Sequence, residues 1–142
     1  LILMGRAKAD YLRAVERAIM DNRLQPQVSI LDFQPDVQNW LAAMDVFLLL
    51  SVDEGFSIAL AEAMATQLPC VYTAAGGVSE LVGDAPVGIV VNRDNPQQIA
   101  EALSTLLGRP WLRRQMGMEG RRRIVENFTL EKQARRFEEF LQ

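Results

Sequence analysis

The sequence predicts an open α/β fold built on a parallel sheet. Three observations carry this. Short apolar or β-branched runs alternate with amphipathic segments at intervals of roughly 15–25 residues. The run Val46–Leu50 is apolar throughout and lies between Asp45 and Ser51, the pattern of a strand covered on both faces. No internal repeat or low-complexity segment interrupts the alternation. The chain has 142 residues, 49% of them apolar and 23% charged, which suits one globular domain and excludes a disordered tail or a fibre.

The elements follow in order. Leu1-Ile2-Leu3-Met4-Gly5 reads as a buried strand entered without a lead-in, and since domains seldom begin inside a core strand, the expectation is a chain truncated at its start. Residues 10–22 place Leu12, Val15 and Ile19 on one face with Arg13, Glu16 and Arg17 between them, an amphipathic helix. A second strand is expected over 28–32. Pro35-Asp36 offers a helix start, and Val37, Trp40, Leu41 and Met44 share a face. After the strand at 46–50, residues 57–67 carry Glu62 as their one charge, so this helix is expected to be buried on most sides. Strands at 70–73 and 87–91 enclose the Ala74-Ala75-Gly76-Gly77 turn and a short helix near 79–82. The tail is helical: 96–107, with Asn95 as cap, then about 110–127 and 130–141, with Thr129 as a second cap. Gly117 and Gly120 lie inside the middle helix, where each costs about 1 kcal/mol relative to alanine, so they either permit close packing or mark a bend.

Composition narrows the chemistry. There is no histidine and a single cysteine, Cys70, which excludes an intrachain disulfide, thiolate metal clusters and Ser-His-Asp or Cys-His catalysis. The scattered acidic residues suggest no metal site. Net charge is −3, unlike a general nucleic-acid binder. The charge is uneven: residues 1–108 sum to −7, and residues 109–142 to +4. Solvated helix faces account for the basic tail most simply, with docking to another domain or to anionic lipid as the alternatives. With no secretory signal and no apolar run long enough to span a membrane, the expected location is cytoplasmic, with the membrane surface as an alternative.

In parallel sheets ligands bind beyond the carboxyl ends of the strands, which directs attention to residues 5–7, 34–36, 51–57 and 73–78. In Ser51-Val52-Asp53-Glu54-Gly55-Phe56-Ser57, Gly55 lets backbone approach a ligand closely, and the helix that follows presents unpaired amides and the positive end of its dipole, suited to an anion. Glu54 at the rim and Glu62 just over a turn into the helix are then free to accept hydrogen bonds from sugar hydroxyls. Equally, Glu62 could cap a backbone group in the core, and Glu54 could be plain loop surface. Gly76-Gly77 stands on the same expected sheet edge, where its amides could meet a phosphate or sugar; an ordinary turn is the alternative.

These residues resemble a family. Glu54-Gly-Phe-Ser-Ile-Ala-Leu-Ala-Glu62 is similar to the E-x7-E signature of retaining GT-B glycosyltransferases, glycosyltransferase family 4 (glycosyl transferases group 1). Pro69-Cys70-Val71 stands where the family writes P-V-V, and Ala75–Val82 is similar to its G-G-x-x-E-x-V loop. Gly88–Val91, Ile99–Leu103 and Leu106-Leu107 match the continuation, and Arg114, Met116-Gly117, Arg121 and Phe128 match the tail.

The resemblance implies a Rossmann-like parallel sheet flanked by helices, the C-terminal half of a GT-B fold, with a helical tail over 110–142. It implies that 1–142 is a nucleotide-sugar-binding domain without its first strand, and without that strand's Arg and Lys for the donor diphosphate. The N-terminal acceptor domain is likewise outside this chain. By resemblance, Glu54 meets the transferred sugar's hydroxyls and is the catalytic candidate. The backbone of Gly55, Phe56, Ser57, Ile58, Ala59 and Leu60, with Gly76 and Gly77, meets the phosphates, and Glu62 holds the ribose hydroxyls. Ser57 departs from the glycine many relatives carry there, a change that a helix start tolerates. The implied reaction transfers a glycosyl group from a nucleoside-diphosphate sugar with retained configuration, without metal or other cofactor. A nucleotide-sugar epimerase of the same architecture and a noncatalytic nucleotide- or protein-binding module are the other readings. Further expectations are a single sheet in which 1–4 and 46–50 flank the missing strand, the slot closed up or filled by another segment or chain; a largely buried, hydrogen-bonded Glu62; and an exposed Glu54.

Overall fold

A computed structural model describes residues Leu1–Leu141, which form two compact units, Leu1–Val37 and the rest of the chain. In the first, β1 (Ile2–Met4) pairs in parallel with β2 (Ser29–Leu31), with Leu3 opposite Ile30, and α1 (Ala9–Asp21) connects them. The face of Leu12, Val15 and Ile19 is the half-buried side of α1, as its spacing requires. No residue of this unit is fully buried. Helix α2 (Val37–Ala42) follows, with Leu41 buried.

The second unit holds β3 (Phe47–Leu49), α3 (Ile58–Ala65), β4 (Cys70–Tyr72), α4 (Val78–Val82), β5 (Gly88–Val90), α5 (Pro96–Leu107), α6 (Pro110–Asn127) and α7 (Leu130–Phe140). Its strands are parallel in the order β3-β4-β5, with Leu48, Val71 and Ile89 in register. The central strand β4 is buried along its whole length, which accounts for its lack of polar alternation. Val71, Val91, Ala102 and Leu106 form a buried cluster, against which Leu48, Ile99, Leu103 and Leu112 pack.

The strands stand where the sequence places them and are all parallel, but they form two sheets, not one. Among the described residues no strand besides β2 pairs with β1, and none besides β4 pairs with β3. The expected closing-up does not occur. β1 belongs to the first unit and β3 to the second, and each keeps one edge that pairs with no strand among the described residues.

Glycine sets the packing of α6. Gly117 and Gly120 are both buried, and a Cβ on Gly117 would overlap the carbonyl oxygen of Gln67, while Gly120 faces Met64 at ordinary contact distance, 3.4 Å from an added Cβ. They permit close approach of α6 to α3. Three arginines of the same helix reach carbonyls of other helices. Arg113 donates to the carbonyls of Leu106 and Leu107 (2.8 Å each), Arg121 to Ala65 (2.6 Å), and Arg123 to Leu81 (3.1 Å) and Glu80 (2.9 Å). Helices α3, α4 and α5 carry no basic residue in their own last turns. Their unpaired terminal carbonyls and negative dipole ends are met by cations from α6. Arg113, Arg121 and Arg123 are therefore engaged in internal bonds, while Arg122 pairs with Glu119 and Glu126 at the surface. Among the described residues no helix is long and apolar enough to cross a membrane.

Cys70 is fully buried at the centre of the sheet, and burial pushes its thiol from 9.0 up to about 12. The folded chain holds this proton where the unfolded chain releases it. The contribution to stability is therefore whole below pH 9 and falls by roughly 1.4 kcal/mol per pH unit as pH climbs toward the folded value. Urea unfolding from pH 8 to 11 should show a steeper alkaline loss in the wild type than in Cys70→Ala; parallel profiles would contradict the burial argument.

Candidate functional site

The loop from Ser51 to Ser57 joins β3 to α3 at the carboxyl edge of the sheet. It is pinned from beside and from within. Thr73, just past β4, donates its hydroxyl to the Ser51 carbonyl (2.8 Å), and Ser51 donates its own hydroxyl to the Glu54 carboxylate (2.5 Å). From the next loop, the Gly77 amide donates to the Glu54 carbonyl (2.8 Å). This contact demands glycine. Gly76 sits at φ +51°, a left-handed conformation that side chains resist. A Cβ there would overlap the Glu54 carbonyl oxygen, and one on Gly77 would overlap that of Gly55. Glu54, Gly55, Gly76 and Gly77, which the sequence placed on one edge, are in direct contact.

Ser57 caps α3 in extended conformation, almost wholly buried (3% exposed), accepting from the Leu60 amide at 3.5 Å. That length makes it a weak bond. The amides of Ile58 and Ala59 donate to no protein group among the described residues, so the helix start keeps free donors and its positive dipole end. Phe56, Ile58 and Ala59 are exposed beside them, and Leu60 is fully buried.

Two expectations are corrected. Glu62 is only half-buried, and its carboxylate makes no hydrogen bond among the described residues, although none of its oxygens is both buried and unpaired; the carboxylate is open to solvent. Glu54 is not the exposed member but is half-buried and bonded to Ser51. The reason lies in α3: only Leu60, Ala63 and Met64 are buried, while Ile58, one turn before Glu62, is 67% exposed. The helix is apolar all round but covered on one side, and Glu62 borders the uncovered side.

A separate cleft of about 570 Å³ opens beyond the ends of β3, β4 and β5, lined by Ser51, Thr73, Asn92, Arg93, Asp94 and Gln98 among others. Neither Glu54, Glu62 nor the Gly76-Gly77 turn lines it. In the sequence neither the loop after β5 nor the anchoring pair, Ser51 on the Glu54 carboxylate and Thr73 on the Ser51 carbonyl, stands out. The Ser51/Glu54 spacing of three was the available signal for the first; nothing local marked Thr73.

A family model described as glycosyl transferases group 1 matches residues 1–109. N-acetyl-alpha-D-glucosaminyl L-malate synthase of Bacillus anthracis is 33% identical over 115 residues, 81% of this chain and 30% of that protein. Lipopolysaccharide core biosynthesis mannosyltransferase LpcC of Rhizobium leguminosarum bv. viciae is 26% identical over 94% of this chain and 39% of its own length. The chain thus spans about a third of the length of these curated relatives. Among solved structures, Anabaena Alr3699/HepE in complex with UDP superposes over 99% of this chain and 40% of its own, with TM-score 0.92 and 25% identity. The C-terminal domain of a glycosyl transferase group 1 family protein (LpcC) from Francisella tularensis covers 91% of this chain and 69% of its own, with TM-score 0.81 and 25% identity. The parallel strands, the flanking helices and the match over 1–109 agree: this chain belongs to the glycosyl transferases group 1 family and has the Rossmann-like architecture of GT-B glycosyltransferases.

Proposed function

We propose that this chain binds the donor of a retaining glycosyltransferase, which moves a sugar from a nucleoside-diphosphate sugar to an acceptor held by another domain. The observation that carries this is the juxtaposition of free Ile58 and Ala59 amides with Glu54 and the Gly76-Gly77 turn at one sheet edge, in a member of a glycosyltransferase family. A diphosphate at the start of α3 is favoured by the free amides and the helix dipole. Glu54, held by Ser51, accepts from the sugar hydroxyls. Glu62 has both carboxylate oxygens available for the ribose. As the bond to the leaving diphosphate breaks, negative charge grows on its oxygens, and fixed amides stabilise that charge without reorganising. Acceptor attack from the face the diphosphate leaves retains the configuration. That Anabaena Alr3699/HepE, 25% identical, has been crystallised with UDP and with UDP-glucose supports the ligand class.

Residues 54–62 and 76–77 contain no cation, so phosphate held by them rests on amides alone. An Arg and a Lys contributing charged hydrogen bonds of about 1.5–3 kcal/mol each would add roughly two to four powers of ten in affinity. The 142-residue chain should therefore bind UDP, GDP or ADP weakly and transfer no sugar. Titration calorimetry tests this: micromolar or tighter binding would show the phosphate held elsewhere, and detectable transfer would show that the chain is not half of a site.

A further inference from the structure

Phe56, the aromatic of the Glu54–Ser57 loop, packs against Phe128, with ring centroids 5.5 Å apart and planes at 49°, within the range of a stabilising aromatic pair. The Arg123 guanidinium lies over that same Phe128 ring, 5.3 Å from its centroid. Its nitrogens donate to the carbonyls of Leu81 (3.1 Å) and Glu80 (2.9 Å), in the last turn of α4. Helix α4 begins immediately after Gly77, whose amide donates to the Glu54 carbonyl. These contacts close a ring: Phe56 to Phe128, to Arg123, to α4, to Gly77, to Glu54 and along the chain to Phe56. Gly83 leaves room for it, since an added Cβ there would come within 2.9 Å of Arg123 Nη2.

The ring has a mechanical consequence. A helix of five residues has little stability of its own, and its terminal carbonyls need partners. Without Arg123, the Leu81 and Glu80 carbonyls lose these donors, and the Gly76-Gly77 turn is held less firmly, by the burial of Val78, Leu81 and Val82 and by the Gly77 amide alone. Without Phe128, the exposed ring of Phe56 has no aromatic partner, and its stretch of the loop is held only at its two ends, through Ser51 and Glu54 on one side and the buried Ser57 on the other. We propose that Arg123 and Phe128 are positioning residues, which hold the Glu54–Ser57 loop and the Gly76-Gly77 turn at one fixed spacing and thereby set the affinity for nucleotide. The last clause rests on the donor-site reading; the fixed spacing of the loops does not.

Amide hydrogen exchange and UDP or GDP titration by amide NMR, on the full chain, test this in Arg123→Gln, Arg123→Lys and Phe128→Leu. In Arg123→Gln and Phe128→Leu, exchange over 52–57 and 74–83 should quicken on the order of tenfold while α5 is unchanged, because the opening is local. Nucleotide affinity should fall by a similar factor. Arg123→Lys should lie between, as an ammonium lacks the planar fork that meets two carbonyls. Unchanged exchange in both loops overturns the proposal, as does a uniform rise that includes α5, which would mark general destabilisation. Loss of affinity with unchanged exchange would place Arg123 on the nucleotide itself and also overturns it. Should the wild type bind neither nucleotide, the donor-site reading fails, and the exchange rates still decide whether the two side chains fix the loops.

Discussion

Replacing Gly77 with alanine is expected to remove measurable nucleotide binding while leaving the chain folded. Gly77 lies at φ −69°, ψ −5°, a conformation open to any residue, so its backbone does not require glycine. Space does. An added Cβ overlaps the Gly55 carbonyl oxygen and stands 2.8 Å from its carbon, and both belong to backbone that cannot swing aside as a side chain would. The two loops must part, and the bond from the Gly77 amide to the Glu54 carbonyl lengthens with them. Overpacking of this kind costs about 1–3 kcal/mol, or roughly 3–10 °C in melting temperature for a chain of this size. The effect on the site is larger, because a displacement of about 1 Å among positioned groups can cost on the order of a hundredfold. Gly55→Ala is the control. Nothing lies within 4 Å of a Cβ there, so stability should stay within about 0.5 kcal/mol, and any lost affinity would report a ligand seated against the loop. Melting curves with NMR titration of UDP and GDP measure both. Wild-type affinity in Gly77→Ala would show that the turn has no part in the site.

What the sequence made legible was local. Asn95 and Thr129 cap α5 and α7 through bonds spanning three residues, and such spacings are visible in any sequence. The strands fall within a residue or so of their expected bounds because uninterrupted apolar runs flanked by turn residues have few other uses. Gly117 was readable as a glycine needing a reason; that the reason is the Gln67 carbonyl was not. Arg121 and Arg123 of α6 show in the sequence only as charge, yet they act as caps, because Arg121 reaches Ala65 and Arg123 reaches Leu81, 56 and 42 residues away. Only the fold brings those carbonyls near.

The candidate site divides in the same way. That Glu54 and the Gly76-Gly77 turn share an edge follows from strand order, and strand order follows from the alternation of elements. The burial of the two glutamates does not. Composition says that α3 is apolar; it does not say which of its sides is covered, and Ile58 at 67% exposed shows how far the two can differ. An acidic residue on such a helix avoids its desolvation cost simply by facing the open side, without the buried partners that the sequence suggested for Glu62.

That correction sharpens the expected effects of changing the two glutamates, measured in a protein that joins this chain to an acceptor-binding domain. Glu54→Gln keeps an oxygen able to accept from Ser51, so the loop should hold its shape. If Glu54 receives the sugar hydroxyls, the change puts a neutral amide where a carboxylate accepted them, and turnover should fall on the order of a hundredfold, with nucleotide affinity changed less than threefold or so. Glu62→Ala should do the reverse. Its carboxylate has no partner within the chain among the described residues, and alanine is the better helix former, so the melting temperature should hold or rise slightly. If Glu62 receives the ribose hydroxyls, hydrogen bonds to a charged group, worth about 1.5–3 kcal/mol, are lost, and nucleotide affinity should fall roughly ten- to a hundredfold. Steady-state kinetics beside equilibrium nucleotide titration separate the two. A Glu62→Ala protein that keeps wild-type affinity, together with a Glu54→Gln protein that keeps wild-type turnover, would reduce the pair of carboxylates eight residues apart to a coincidence of the sequence.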